Sequence, residues 1–165
     1  MQKKTLNNLK ELSWFEFLSL SDILLKKLPT DYFNYVVCIN SGGLILGKLA
    51  KDYLSVPLAV ISTSAYTNGE INRRKDVEIG SISSMDEISG NVLLIDDLVD
   101  QGYTMKTVFH HFDDDPLITN IRTAVIYKKP YSVFNPYYFV EESDKWIIFP
   151  YEKNEFSKQL QNIKK

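Results

Sequence analysis

Short runs of consecutive apolar residues recur along this chain, and each opens into a polar or glycine-bearing turn. Residues 35–39 (YVVCI), 56–63 (VPLAVIST), 92–95 (VLLI) and the TAVIY part of 118–127 are of this kind. Short continuous apolar runs mark strands buried on both faces, as in a parallel sheet. Helical spacing fills the intervals. Residues 13–28 place Trp14, Phe17, Leu18, Leu24, Leu25 and Leu28 on one broad face; Ser13 and Glu16 have capping-box spacing, and Pro29 stops the element. A second helix is predicted over about 44–54. A third follows Thr104, carries Val108, Phe109 and Phe112, and ends by Pro116. Residues 77–81 predict a further strand and 85–90 a turn. The aromatic-rich stretch 136–152 (PYYFVEESDKWIIFPYE) predicts one or two strands with a turn at 142–144. Strands alternating with helices predict an α/β fold, a mostly parallel central sheet with helices on both faces.

Size and charge narrow the picture. The chain has 165 residues, enough for a single domain over 1–165, and 44% of them are hydrophobic. A formal net charge of −2 gives no support to nucleic acid or an anionic membrane as partner. No apolar run reaches membrane-spanning length, and the first twelve residues lack the apolar core of a signal peptide. The single cysteine, Cys38, excludes an internal disulfide, and a cytoplasmic location is expected. His110 and His111 are neighbours on a helix and point in different directions, so they suggest no metal pair.

The candidate chemistry concentrates in residues 91–107, NVLLIDDLVDQGYTMKT. An apolar strand runs into Asp96 and Asp97; Asp100 follows; then Gln101, Gly102, Tyr103 and Thr104 lead into a helix. The first amides of a helix have no partners of their own and the macrodipole is positive there, which suits a phosphate. Gly102 lets the backbone approach a ligand, and Thr104 is expected to cap the helix and to donate to a phosphate oxygen. Three acids beside an anion site need a reason, which magnesium or sugar hydroxyls would supply. A second strand–glycine–helix unit lies at Asn40, Ser41, Gly42 and Gly43.

The stretch IDDLVDQGYT resembles the ribose-phosphate loop of the type I phosphoribosyltransferases. The run KP…YYFVEESDKWIIFPYE resembles the C-terminal region of the microbial hypoxanthine and xanthine–guanine members. The resemblance covers about 35–152. It implies transfer of a phosphoribosyl group from 5-phosphoribosyl-1-diphosphate to a 6-oxopurine, in purine salvage, with Mg2+ as cofactor. Asp100 would be the catalytic base near purine N7. Asp100, Gln101, Gly102, Tyr103 and Thr104 would hold the 5-phosphate, and Asp96 and Asp97 the ribose and the metal. Ser41, Gly42 and Gly43 would meet the diphosphate, with a cis peptide near Asn40–Ser41. Ser41 stands where the family usually has a basic residue, so Arg73 and Arg74, in a flexible loop over about 64–79, become the expected source of positive charge. A base-binding hood over about 128–152 would present Trp146 as the stacking ring, the Ile147 backbone to the purine edge, and Lys129 to the 6-oxo group; Lys128 could exchange with Lys129. A homodimer or homotetramer is expected by the same resemblance.

Two other readings keep the fold: a non-catalytic regulator sensing a nucleotide or 5-phosphoribosyl-1-diphosphate, and a phosphoribosyltransferase for another base. A dinucleotide-binding domain would need G-x-G-x-x-G after the first strand, which NSGGLILG does not supply.

Overall fold

The computed structural model describes residues 8–65 and 77–153. In chain order the elements are β1 (Leu9–Glu11), α1 (Trp14–Leu25), β2 (Tyr35–Asn40), α2 (Gly43–Leu54), β3 (Leu58–Ala65), β4 (Val77–Ser83), β5 (Gly90–Ile95), β6 (Leu98–Val99), α3 (Tyr103–Asp113), β7 (Ile118–Lys128), β8 (Tyr138–Glu142) and β9 (Trp146–Ile148). The main sheet runs β4-β3-β2-β5-β7, with β8 alongside β7 on its other edge. Its pairings are parallel except β3 with β4. Strand β6 continues β5: Ile95 faces Ala124 and Leu98 faces Tyr127, the same offset along β7. Asp96 and Asp97 therefore lie in the break between β5 and β6, where hydrogen bonding to β7 continues. The Asp96 amide donates to the Ala124 carbonyl at 3.1 Å, and the Ile126 amide donates to the Asp97 carbonyl at 3.1 Å.

The two-residue period of a strand splits these apolar runs between two cores. Val36, Cys38, Leu93, Ile95, Ala124 and Ile126 meet Phe17 and Leu24 of α1 and Leu46 and Ala50 of α2. Tyr35, Val37, Ile39, Val92, Leu94 and Val125 meet Met105, Val108 and Phe112 of α3. Helices thus cover both faces of a mostly parallel sheet. Each Val, Leu, Ile, Phe or Met among them, buried fully, contributes about 1.5–3 kcal/mol, and both cores hold the carboxyl ends of β2 and β5 in place.

The capping box of α1 forms: the Glu16 amide donates to Ser13 Oγ at 3.2 Å, and the Ser13 amide donates to Glu16 Oε2 at 2.8 Å. Its buried stripe is narrower than the spacing predicts. Trp14 and Leu18 are about half exposed, at 50% and 49%, while Ser21 is buried. The Ser21 hydroxyl donates to the Phe17 carbonyl at 2.7 Å, so a polar group is tolerated there. Trp14 overhangs the helix start and lies against the Phe17 and Tyr151 rings. The 128–152 segment divides between two sheets. Strand β8 joins the main sheet, and β9 pairs in parallel with β1, Leu9 facing Trp146. Among the described residues no helix is long and apolar enough to cross a membrane.

Candidate active site

Ligands of open α/β sheets sit beyond the carboxyl ends of the strands. Here those ends and the start of α3 enclose a cavity of about 250 Å3, lined by Ile39, Asn40, Thr63, Asp96 and residues 98–105. Gly102 occupies the cap position of α3 with φ +90°, and no side chain caps the helix. The expected Thr104 cap is not made: Thr104 lies within the first turn, because the left-handed cap conformation selects glycine at 102. The amides of Tyr103, Thr104 and Met105 face no side-chain acceptor, and their residues line the cavity. That is the unpaired, positive helix start an anion requires. The loop is braced from behind. The Val133 amide donates to the Gln101 carbonyl at 3.0 Å, and a Cβ on Gly102 would stand 2.4 Å from Ser132 Oγ.

The paired acids have different surroundings. Asp96 lines the cavity, and its Oδ1 accepts from the Asp97 amide at 2.9 Å. Asp97 lies outside the cavity lining, 8% exposed, and its Oδ2 accepts from the Tyr151 hydroxyl at 2.6 Å. Gly42 leaves room for it: a Cβ there would lie 2.6 Å from that same oxygen. Gly43 likewise lets the start of α2 press on β5, since its Cβ would lie 2.7 Å from the Ile95 carbonyl oxygen. The double glycine thus has a packing reason independent of any ligand. The Asn40–Ser41 peptide is cis, and Ser41 is exposed.

Burial pushes both carboxyls up. Asp96 is raised by burial and then by the charge of Asp97; Asp97 rises to about 6, by burial and the Glu152 charge, against the lowering hydrogen bond from Tyr151. A carboxyl raised in the fold stabilises it below the unfolded value near 3.8 and loses that contribution as pH climbs through about 6. Magnesium-free protein should therefore lose on the order of 2 kcal/mol between those limits through Asp97. Asp97→Asn should flatten that slope in thermal melts at pH 4 to 8. An unaltered slope would mean that Asp97 is not desolvated.

In the 128–152 segment, Lys129 is only 3% exposed, and its Nζ donates to the Lys145 carbonyl. Burial lowers its pKa, while the charges of Asp100 and Asp144 raise it. Lys128 is engaged elsewhere, 2.8 Å from Asn135 Oδ1 and 3.0 Å from Glu142 Oε2, above the Phe139 ring. Of the two lysines, Lys129 is the one whose pKa the Asp100 charge raises. Trp146 follows Lys145 at the start of β9 and is half-buried. The Ile147 side chain is 5% exposed and belongs to the core, which leaves only its backbone for a ligand.

The cavity thus gathers Asp96, Asp100, Gln101, Gly102, Tyr103 and Thr104. Ser41, Gly42, Gly43, Asp97, Lys129, Trp146 and Ile147 lie outside its lining. Arg73 and Arg74 fall outside the described residues. Asn40, which the sequence marks as the start of the second glycine loop, lines the cavity. Three residues go unnoticed in the sequence: Thr63 lines the cavity, Tyr131 donates to Asp100 Oδ1 at 2.8 Å, and Tyr151 holds Asp97. The position of Thr63 at a strand's carboxyl end was the only local signal among them. Among the described residues no cluster of three or more His, Cys, Asp or Glu could cage a metal. A cation here would need substrate oxygens to complete its shell, which is how magnesium is commonly held.

Comparison with known proteins agrees with this geometry. A xanthine-guanine phosphoribosyltransferase of Idiomarina loihiensis is 25% identical over 144 residues, 85% of this chain and 84% of that protein. One from Desulfotalea psychrophila is 30% identical over 128 residues, 76% of this chain and 74% of that protein. The purine phosphoribosyltransferase of Pyrococcus horikoshii superposes with a TM-score of 0.76 at 26% identity, covering 87% of this chain and 93% of that one. The phosphoribosyl transferase domain matches residues 20–155, a span that takes in both glycine-bearing helix starts and residues 128–152, and the chain belongs to that family.

Proposed function

We propose that this protein transfers the 5-phosphoribosyl group of 5-phosphoribosyl-1-diphosphate to hypoxanthine, guanine or xanthine, releasing diphosphate, as a step of purine salvage. One observation carries the reading: Asp100 lines the α3-start cavity, and its charge also acts on the buried Lys129. It can therefore touch a sugar phosphate on one side and a nucleobase on the other. The amides of residues 103–105 and the Thr104 hydroxyl take the 5-phosphate, and Asp96 accepts from a ribose hydroxyl. Lys129 donates to the purine 6-oxygen, which an adenine amino group would not accept, and Trp146 offers a face for stacking. As N9 closes on C1 and the diphosphate oxygen departs, the N7 proton passes to Asp100 and its electron pair returns to the ring. Positioning and fixed charge then supply most of the acceleration. Magnesium fits the cavity face of Asp96 together with substrate oxygens, and would offset the diphosphate charge. Ser41, Gly42 and Gly43 are the diphosphate loop in this reading. The buried free thiol of Cys38 suits a reducing cytoplasm. Exposed apolar side chains such as Phe15 and Met85 support a homodimer or homotetramer.

Ser41, uncharged where the family usually carries a base, favours the regulator as second reading. Turnover with each of the three purines, 5-phosphoribosyl-1-diphosphate and magnesium separates the two. Nucleotide formation supports the enzyme; binding without it supports the regulator. Within that assay Trp146→Ala should raise KM for the purine roughly tenfold, since stacking is worth about 1–3 kcal/mol. An unchanged KM returns Trp146 to a packing role.

A further inference from the structure

The turn after β7 brings Tyr131 to Asp100. The Ser132 amide donates to the Lys129 carbonyl at 3.2 Å, and the Val133 amide ties the same turn to the Gln101 carbonyl at 3.0 Å. On this anchored turn the Tyr131 hydroxyl donates to Asp100 Oδ1 at 2.8 Å, although Tyr131 as a whole is 59% exposed. A ring so exposed gains little from burial, so core packing does not account for where its hydroxyl points. A carboxylate without a partner turns about its last torsion with little preference. Here a cation is close enough for the Asp100 charge to act on it: Lys129, whose Nζ donates to the Lys145 carbonyl instead. An Asp100 drawn toward Lys129 by opposite charge would hold together the two groups needed at separate atoms of the purine.

We propose that Tyr131 is a positioning residue for phosphoribosyl transfer: its hydroxyl pins Oδ1 of Asp100, leaving Oδ2 for the purine N7 proton and Lys129 for the 6-oxygen. This rests on Asp100 being the proton acceptor. Burial and the hydrogen bond to Asp100 push the Tyr131 phenol up to about 12, so it stays a donor through the neutral range. The pin uses one carboxylate oxygen and leaves the other with its lone pairs. Small misplacements of a reacting group are costly in rate, so the effect belongs in kcat.

The test combines Tyr131→Phe, Asp100→Ala and the double variant, assayed with hypoxanthine, with NMR of protein carrying 13Cζ-labelled tyrosine. Tyr131→Phe keeps the exposed ring and removes only the hydroxyl. It should lower kcat about tenfold while KM for 5-phosphoribosyl-1-diphosphate stays within about twofold. Added to Asp100→Ala it should cost nothing further, because there is no carboxylate left to pin. The Tyr131 resonance, identified by its loss in Tyr131→Phe, should move in Asp100→Ala. An undiminished kcat, losses that multiply in the double variant, or a resonance that stays in place each overturn the assignment. If the unaltered protein converts none of the three purines, the transfer reading fails instead. The resonance then decides alone: a shift keeps the pin, and no shift removes it.

Discussion

Asp100→Asn should lower kcat for hypoxanthine by about a hundredfold or more, the range set by loss of a positioned proton acceptor. Asparagine has nearly the shape of aspartate, and its carbonyl oxygen can still accept from the Tyr131 hydroxyl, which stands 2.8 Å from Oδ1. It cannot take a proton from the purine. The 5-phosphate should hardly notice the change. Its expected partners are the amides that open α3, where Gly102 leaves the first turn without a side-chain cap, and these are unaltered. KM for 5-phosphoribosyl-1-diphosphate should therefore stay within about threefold, the signature of an interaction made only in the transition state. Steady-state kinetics over both substrates would show this directly. A variant with the original kcat would remove Asp100 as the base and move the chemistry to another group.

The strands of the main sheet were legible because burial on both faces leaves continuous apolar runs. Residues 35–39 and 92–95 fall within β2 and β5. What the pattern lacked was pairing. Strand β1, LKE, is too short and polar to stand out, and it exists because β9, from the other end of the chain, lies beside it. Strands β8 and β9 follow one another in an aromatic stretch yet belong to different sheets, a division that local composition does not encode. The antiparallel course of β4 beside β3 is equally invisible in its own residues. Along α1 the helical period located the helix but overstated its buried face, since Ser21 could replace a hydrophobe once its hydroxyl found the Phe17 carbonyl.

The site divides along the same line. The Asp96–Thr104 loop is contiguous, so the strand, the acids and the glycine could be read together, and the structure brings five of its residues from Asp100 to Thr104 to one cavity. Asp96 and Asp97 looked equivalent in sequence. They lie in the break between β5 and β6, and only the structure shows which one meets Tyr151 and Gly42. Lys128 and Lys129 also looked equivalent in sequence, yet β7 ends between them. The register of β8 sets Glu142 opposite Lys128, while Lys129 is buried. Tyr131 and Tyr151 act on acids far away in the chain. No spacing could have announced them.

Gly102→Ala should damage stability and substrate binding together, because two demands meet at one atom. The backbone at 102 has φ +90°, which costs a residue with a Cβ about 1–3 kcal/mol. That Cβ would also stand 2.4 Å from Ser132 Oγ, 2.8 Å from the Phe134 amide nitrogen and 3.0 Å from Phe134 Cβ. The serine hydroxyl could swing aside, but the Phe134 backbone could not, so the loop and the turn behind it must separate. That separation would strain the bond from the Val133 amide to the Gln101 carbonyl and shift the amides that open α3. The melting temperature should fall by roughly 3–10 °C, and kcat/KM for 5-phosphoribosyl-1-diphosphate by about tenfold or more. Ser132→Ala offers the control, since it removes the nearest side-chain atom but leaves the backbone clash and the positive φ. Combined with Gly102→Ala it should restore only part of the lost stability. A Gly102→Ala protein that melted and turned over like the original would mean that the loop does not depend on glycine for its shape, and the phosphate site built on it would have to be drawn elsewhere.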